Sequence, residues 1–124
     1  MINVGASAQQ LFGSKPANFD APAHHGDEVV RLPATFKVLA ENSVTLQAVS
    51  GEGGKIHCTQ YHPDSPYKYI RKLLLHWAPN YRELFTNQEF QFLLNELVKK
   101  ERVECSTRTM EFQHWFGMIT SGTW

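Results

Sequence analysis

The chain has 124 residues, in which 12 Lys+Arg balance 12 Asp+Glu, with 42% hydrophobic and 19% charged residues. That length suits one domain with a genuine core, and the balance excludes a polycation, an acidic nucleic-acid mimic and a low-complexity chain. No apolar run approaches the roughly 20 residues of a membrane span, and no basic-then-apolar leader opens the chain. A cytoplasmic protein without a membrane partner is therefore expected, its two cysteines, Cys58 and Cys105, being free thiols.

Composition shifts early. Six of the 14 Gly and Pro fall in the first 33 residues, whereas 13 of the 15 aromatics follow them. Small, polar and proline residues without a sustained period cannot offset their ordering entropy by burial. The expectation is a flexible or draped N-terminal arm over 1–28 and a single α+β domain over 29–124. Within the arm, the run AQQLF resembles the short Gln-plus-Leu-Phe peptides that dock into the bacterial sliding clamp, making Leu11 and Phe12 candidate partner-binding residues. The other reading is that they pin the arm to its own domain or to a sister subunit. His24-His25-Gly26-Asp27-Glu28 has the ingredients of a metal site, but adjacent residues on an extended chain point to opposite sides, so a polar loop is expected.

From Val29 the pattern takes period two. Phe36, Val38 and Ala40, then Val44, Leu46 and Ala48, then Ile56 and Cys58 alternate with polar residues. This predicts a three-stranded antiparallel meander over 34–40, 43–50 and 55–61. Gly51-Glu52-Gly53-Gly54-Lys55 has the glycines of a phosphate loop, but a strand follows the lysine and no Ser or Thr does. A hairpin turn explains it.

Ser65 and Pro66 open a helix whose Ile70, Leu73, Leu74 and Trp77 share one face. A short turn over 81–85 follows. Thr86 and Glu89 then form a capping box for a helix over 86–102, with Phe90, Leu93, Leu94, Leu97 and Val98 as its apolar stripe. On its opposite face Gln88, Gln91, Asn95, Lys99 and Arg102 form a strip of amides and bases without a carboxylate, chemistry that reads base edges and holds phosphates. Met110, Phe112, His114, Phe116 and Met118 alternate, predicting a C-terminal β-hairpin over 103–118 with a turn at 106–109. Helix, short helix, capped helix and hairpin together resemble a winged helix-turn-helix across residues 65–119. The resemblance implies a DNA-binding module reading through the 86–102 helix and the hairpin, with Arg108 as a further nucleic-acid contact.

Charge agrees in sign, at −2 for residues 1–66 and +2 for 67–124. So small an excess implies weak, salt-dependent nucleic-acid binding. Cys58, His62, Cys105 and His114 are metal-ligating types, but their spacing matches no zinc module, so no metal and no cofactor are expected. No nucleophile motif accompanies His57, His62, His76 or His114, which favours binding over catalysis. The leading expectation is a non-enzymatic accessory module associated with nucleic acid. The alternative is a protein-binding adaptor or inhibitor of phage or mobile-element type, using the arm with Leu11, Phe12, Phe92, Trp115 and Trp124.

Overall fold

The structure, a computed structural model, describes residues 1–103 and 106–123. The chain divides into two compact units, Met1–Asp64 with Ser106–Trp124, and Ser65–Cys105.

The first unit is built on an antiparallel sheet that has five strands among the described residues. In chain order these are β1 (Ile2–Val4), β2 (Asn18–Phe19), β3 (Lys37–Glu41), β4 (Leu46–Gly51) and β5 (Ile56–Thr59), arranged β2-β1-β3-β4-β5. A 3-10 turn, Ala6–Ala8, and a short helix, α1 (Gln9–Phe12), join β1 to the segment leading into β2. Between β3 and β4, the Asn42 side-chain oxygen accepts from the amides of Val44 and Thr45, both at 2.9 Å, so the side chain closes the turn. Between β4 and β5, Glu52, Gly53 and Gly54 all take positive φ, and the two glycines carry no steric penalty there. Gly51 has a second constraint: a Cβ there would lie 2.7–2.9 Å from the Phe36 ring. Ile2, Ala8, Phe12, Phe19, Leu39, Ala40, Ala48 and Tyr61 form the core. Residues 1–28, expected as a flexible or draped arm, thus supply two strands, a helix and four members of this core.

In the second unit, α2 (Tyr67–His76) and α4 (Asn87–Val103) pack through Tyr67, Ile70, Leu74 and Leu97, with the one-turn α3 (Ala78–Tyr81) between them in sequence. The capping box forms: the Thr86 amide donates to Glu89 Oε2 at 2.8 Å, and the Glu89 amide donates to Thr86 Oγ1 at 3.2 Å. The Thr86 amide and hydroxyl, each donating to Glu89 Oε2 at 2.8 Å, hold the Glu89 carboxyl below its ordinary value. Arg71 pairs with Glu101 through Nε–Oε1 at 2.6 Å and Nη2–Oε2 at 3.3 Å.

The expected C-terminal hairpin does not form. After a 3-10 turn at Ser106–Thr109, residues Met110–Ser121 make a helix, α5, ended by Gly122 at φ 68° in the left-handed region. Its anchoring positions are Glu111, His114, Trp115 and Met118, at helical spacing, of which Glu111 and Met118 are buried, Trp115 is half-buried and His114 bonds Gln10 O from an exposed position. The apolar alternation that suggested a strand is outweighed by these polar anchors. Gly13, at φ +60°, lies so close to α5 that a Cβ would meet the His114 ring at 2.9 Å. Without a hairpin there is no wing, which overturns the winged-helix-like second half. Among the described residues no helix is long and apolar enough to cross a membrane.

Candidate functional site

Strand β5 carries its side chains alternately to two faces. His57 and Thr59 share one face, and Cys58, paired across the ladder with Val49, takes the other. The strand then runs into the turn Gln60-Tyr61-His62-Pro63-Asp64, and here polar chemistry concentrates. A cavity of about 280 Å³ opens beside it, lined by His57, Tyr61, His62, Asp64, Glu111 and Trp115 among others.

His62 is fixed at its backbone, where its amide donates to Pro22 O at 2.7 Å. Its Nδ1 lies 3.5 Å from Asp64 Oδ1, and its Nε2 lies 3.4 Å from His24 O. Both side chains of the pair are solvent-accessible, at 39% and 73%. An exposed pair at that distance contributes little to stability. Its value is orientation, with the Asp64 carboxylate at one imidazole nitrogen and the His24 carbonyl at the other.

Beneath the pair lies a buried polar network. Tyr61, 1% exposed, donates its hydroxyl to Glu111 Oε1 at 2.6 Å. Burial and then the Glu111 charge push the Tyr61 phenol far above its ordinary value, so it remains a donor. Lys15 bonds Glu111 Oε2 and sits 3.7 Å from the Phe19 ring centroid, and its Nζ also donates to Arg108 O at 3.3 Å. Burial lowers the Lys15 ammonium, while the bond to Glu111 pulls the other way. Arg108 Nη1 donates to Pro63 O. His57 is different: neither ring nitrogen has a hydrogen-bond partner, and the ring packs against Phe12 and Trp115 at centroid distances of 5.8 and 6.2 Å. Desolvation lowers its pKa, which keeps the ring neutral near pH 7.

The residues proposed from sequence fall elsewhere. Gln88, Gln91, Asn95, Lys99 and Arg102 are exposed on α4, but Lys99 is 2.5 Å from Glu96, so the strip's lysine already has a carboxylate partner. Arg108 turns inward to Pro63 O rather than outward to a phosphate. Leu11 is half-buried and Phe12 is 1% exposed, so Phe12 fills the core and presents nothing to a partner. Phe92 is exposed, and Trp115 is half-buried with its indole N–H donating to Gly54 O at 3.1 Å. Trp124 and Cys105 lie outside the described residues. Among the described residues no three His, Cys, Asp or Glu side chains gather as a metal site. His114 Nε2 donates to Gln10 O at 2.8 Å. Sequence reasoning passed over the pairing of His62 with Asp64. The available signal was an imidazole and a carboxylate two residues apart, flanking a proline where a strand ends.

Comparison with known proteins identifies this stretch. The family model described as "Glutamine amidotransferase class-I" matches residues 2–76, well over half of the chain. The GMP synthase [glutamine-hydrolyzing] of Borreliella burgdorferi (strain N40) is 25% identical over 99 residues, covering 79% of this chain and 19% of that protein. The Thermotoga maritima enzyme of the same name is 27% identical over 97 residues, 77% of this chain and 19% of its own length. That of Elusimicrobium minutum is 33% identical over 64 residues, 51% of this chain and 12% of its own. The chain thus spans about a fifth or less of the length of these curated relatives. No solved structure matches it. The reading as a DNA-binding, winged-helix or phage accessory module is overturned by this match, because helix order and a polar helix face are generic, whereas the match follows residues through β1 to β5 and α2. With the arm, the sheet, the His62–Asp64 turn and α2 all inside the matched stretch, the chain belongs to the class-I glutamine amidotransferase family.

Proposed function

We propose that this chain carries the histidine–carboxylate part of a site that hydrolyses the side-chain amide of glutamine. The observation that carries the reading is His62 Nδ1 facing Asp64 Oδ1 at 3.5 Å, at the end of β5 and beside a cavity, within the stretch that matches the family. Relatives over this stretch are named as glutamine-hydrolysing enzymes, which supports the substrate class.

Amide hydrolysis needs a group that takes a proton from the attacking nucleophile and returns it to the departing ammonia. His62 is suited to that role. Asp64 holds the ring through Nδ1 and stabilises the imidazolium that forms after proton transfer. Nε2, which faces the His24 carbonyl at 3.4 Å, is the atom that exchanges protons with nucleophile and leaving group once it gives up that contact. Cys58 does not serve as the nucleophile in this reading, because it occupies the strand face opposite His57.

Ammonia release from L-glutamine tests the reading. The chain should release ammonia, with His62→Ala lowering kcat/KM by about 100-fold or more and Asp64→Asn by less. Equal rates for the chain and His62→Ala would overturn it, as would no release above the uncatalysed rate.

A further inference from the structure

The turn that bears His62 and Asp64 is gripped from below at both of its shoulders. Starting at Tyr61, the phenol donates to Glu111 Oε1, the other Glu111 oxygen bonds Lys15, Lys15 bonds the Arg108 carbonyl, and Arg108 Nη1 returns to the Pro63 carbonyl. The circuit leaves the turn at residue 61 and re-enters it at residue 63, with His62 between the two attachment points and Asp64 next in sequence. Lys15 and Glu111 are buried at 4% and 0% exposure, so their bonds are sheltered from water and resist exchange with it. The His62 and Asp64 side chains are solvent-accessible, and their own contact at 3.5 Å is too weak to stiffen the turn. Arg108 and Glu111 lie outside residues 2–76, so the grip comes from a segment that the family match does not cover.

We propose that the circuit Tyr61–Glu111–Lys15–Arg108–Pro63 sets the position of the His62–Asp64 pair, making Glu111 and Arg108 positioning residues for the reaction. The inference rests on the glutamine-hydrolysis reading for its consequence in rate, but not for its consequence in motion. A general base must stay within hydrogen-bond reach of the proton it takes, and displacement of about 1 Å costs up to about 100-fold in rate.

Two variants break the circuit at different points while sparing the Lys15–Glu111 contact: Arg108→Ala removes the grip on Pro63, and Tyr61→Phe removes the grip on residue 61. Native-state hydrogen exchange of the full chain gives a readout independent of activity. In each variant the His62 amide, which donates to Pro22 O, should exchange about tenfold faster, while the Val49 and Cys58 amides on β4 and β5 change by less than about twofold. Arg108→Lys, which keeps a cationic donor, should recover most of the loss. In ammonia release, both variants should lower kcat about tenfold with KM held within about twofold. Unchanged exchange at His62 overturns the proposal, and so does equal acceleration at Val49 and Cys58, which would mean general loosening. Faster exchange at His62 with unchanged kcat overturns it as well. If the unaltered chain releases no ammonia, the hydrolysis reading fails by itself, and exchange alone decides whether the circuit holds the turn.

Discussion

In the helical unit, the buried residues of α2 and α4 are Tyr67, Ile70, Leu74 and Leu97, and the charges stay outside, with Arg71 and Glu101 meeting at a partly exposed edge. In the sheet unit an ammonium and a carboxylate lie in the interior beside Phe12, Phe19 and Tyr61. The two cores respond differently to damage. Truncating an apolar side chain in the first leaves a cavity, whose cost is graded by how far the neighbours relax. Removing a charge from the second strands its partner without water, so the cost falls at once and nearly in full. The sheet unit therefore has fewer acceptable substitutions, but it gains directional bonds that reach the turn carrying His62.

The contrast is broken most severely at Glu111. Glu111→Ala leaves the Lys15 ammonium buried and unpaired, and urea unfolding should show a loss of about 3–5 kcal/mol. Replacing the pair together, as Lys15→Met with Glu111→Leu, should restore much of that loss, since apolar residues of similar volume carry no penalty for desolvated charge. A single variant no worse than the double would show that the interior of the sheet unit is not ionic in its energetics. Next in size is Leu97→Ala in α4, for which the same measurement should give about 2–3 kcal/mol, with no polar partner to rescue it.

The smallest effect comes from His57 and sharpens the comparison through pH. Its folded-state pKa lies below the ordinary value of 6.5, so the unfolded chain binds the proton more readily. Its contribution to stability is complete above about pH 6.5 and declines as pH falls through that value, at up to about 1.4 kcal/mol per pH unit until the folded form also protonates. The groups facing it do not reverse the sign, for Glu111 favours the imidazolium and Lys15 opposes it, both less strongly than burial. Thermal unfolding between pH 7.5 and 5.5 should show this decline in the unaltered chain and a flatter profile in His57→Phe. Identical profiles would remove His57 as its source.

What the sequence made legible follows the same division. Periodicity located β3, β4 and β5 and picked out the capping box and apolar stripe of α4, yet burial and hydrophobicity do not coincide throughout: Ile56 and Cys58 of β5 are exposed while His57 and Thr59 are half-buried, and Gln47 and Ser50 of β4 are buried. It failed at α5, β1 and β2. Helix α5 turns Glu111 inward and leaves Phe112 and Phe116 half exposed, so its hydrophobic pattern points away from its packing. Strands β1 and β2 have three and two residues, too short for alternation to show, and Lys15 reads as an arm residue until Glu111 is found 96 positions away to neutralise it. The His62–Asp64 pair was visible as residues but not as a site. No single-chain pattern tells an exposed polar turn from one whose shoulders are held by a distant helix.

The close approach of Gly13 to His114 has an evolutionary consequence. Position 13 belongs to the family stretch and position 114 does not, yet the backbone at 13 leaves no room for a Cβ beneath the imidazole. Two pressures therefore act on one glycine: its left-handed backbone, which any descendant would inherit, and the ring above it, which exists only while α5 is docked. A lineage without α5 would be released from the second pressure and would keep the first, leaving asparagine as an admissible replacement. In a lineage that kept α5, the same replacement would have to arrive together with a smaller residue at 114.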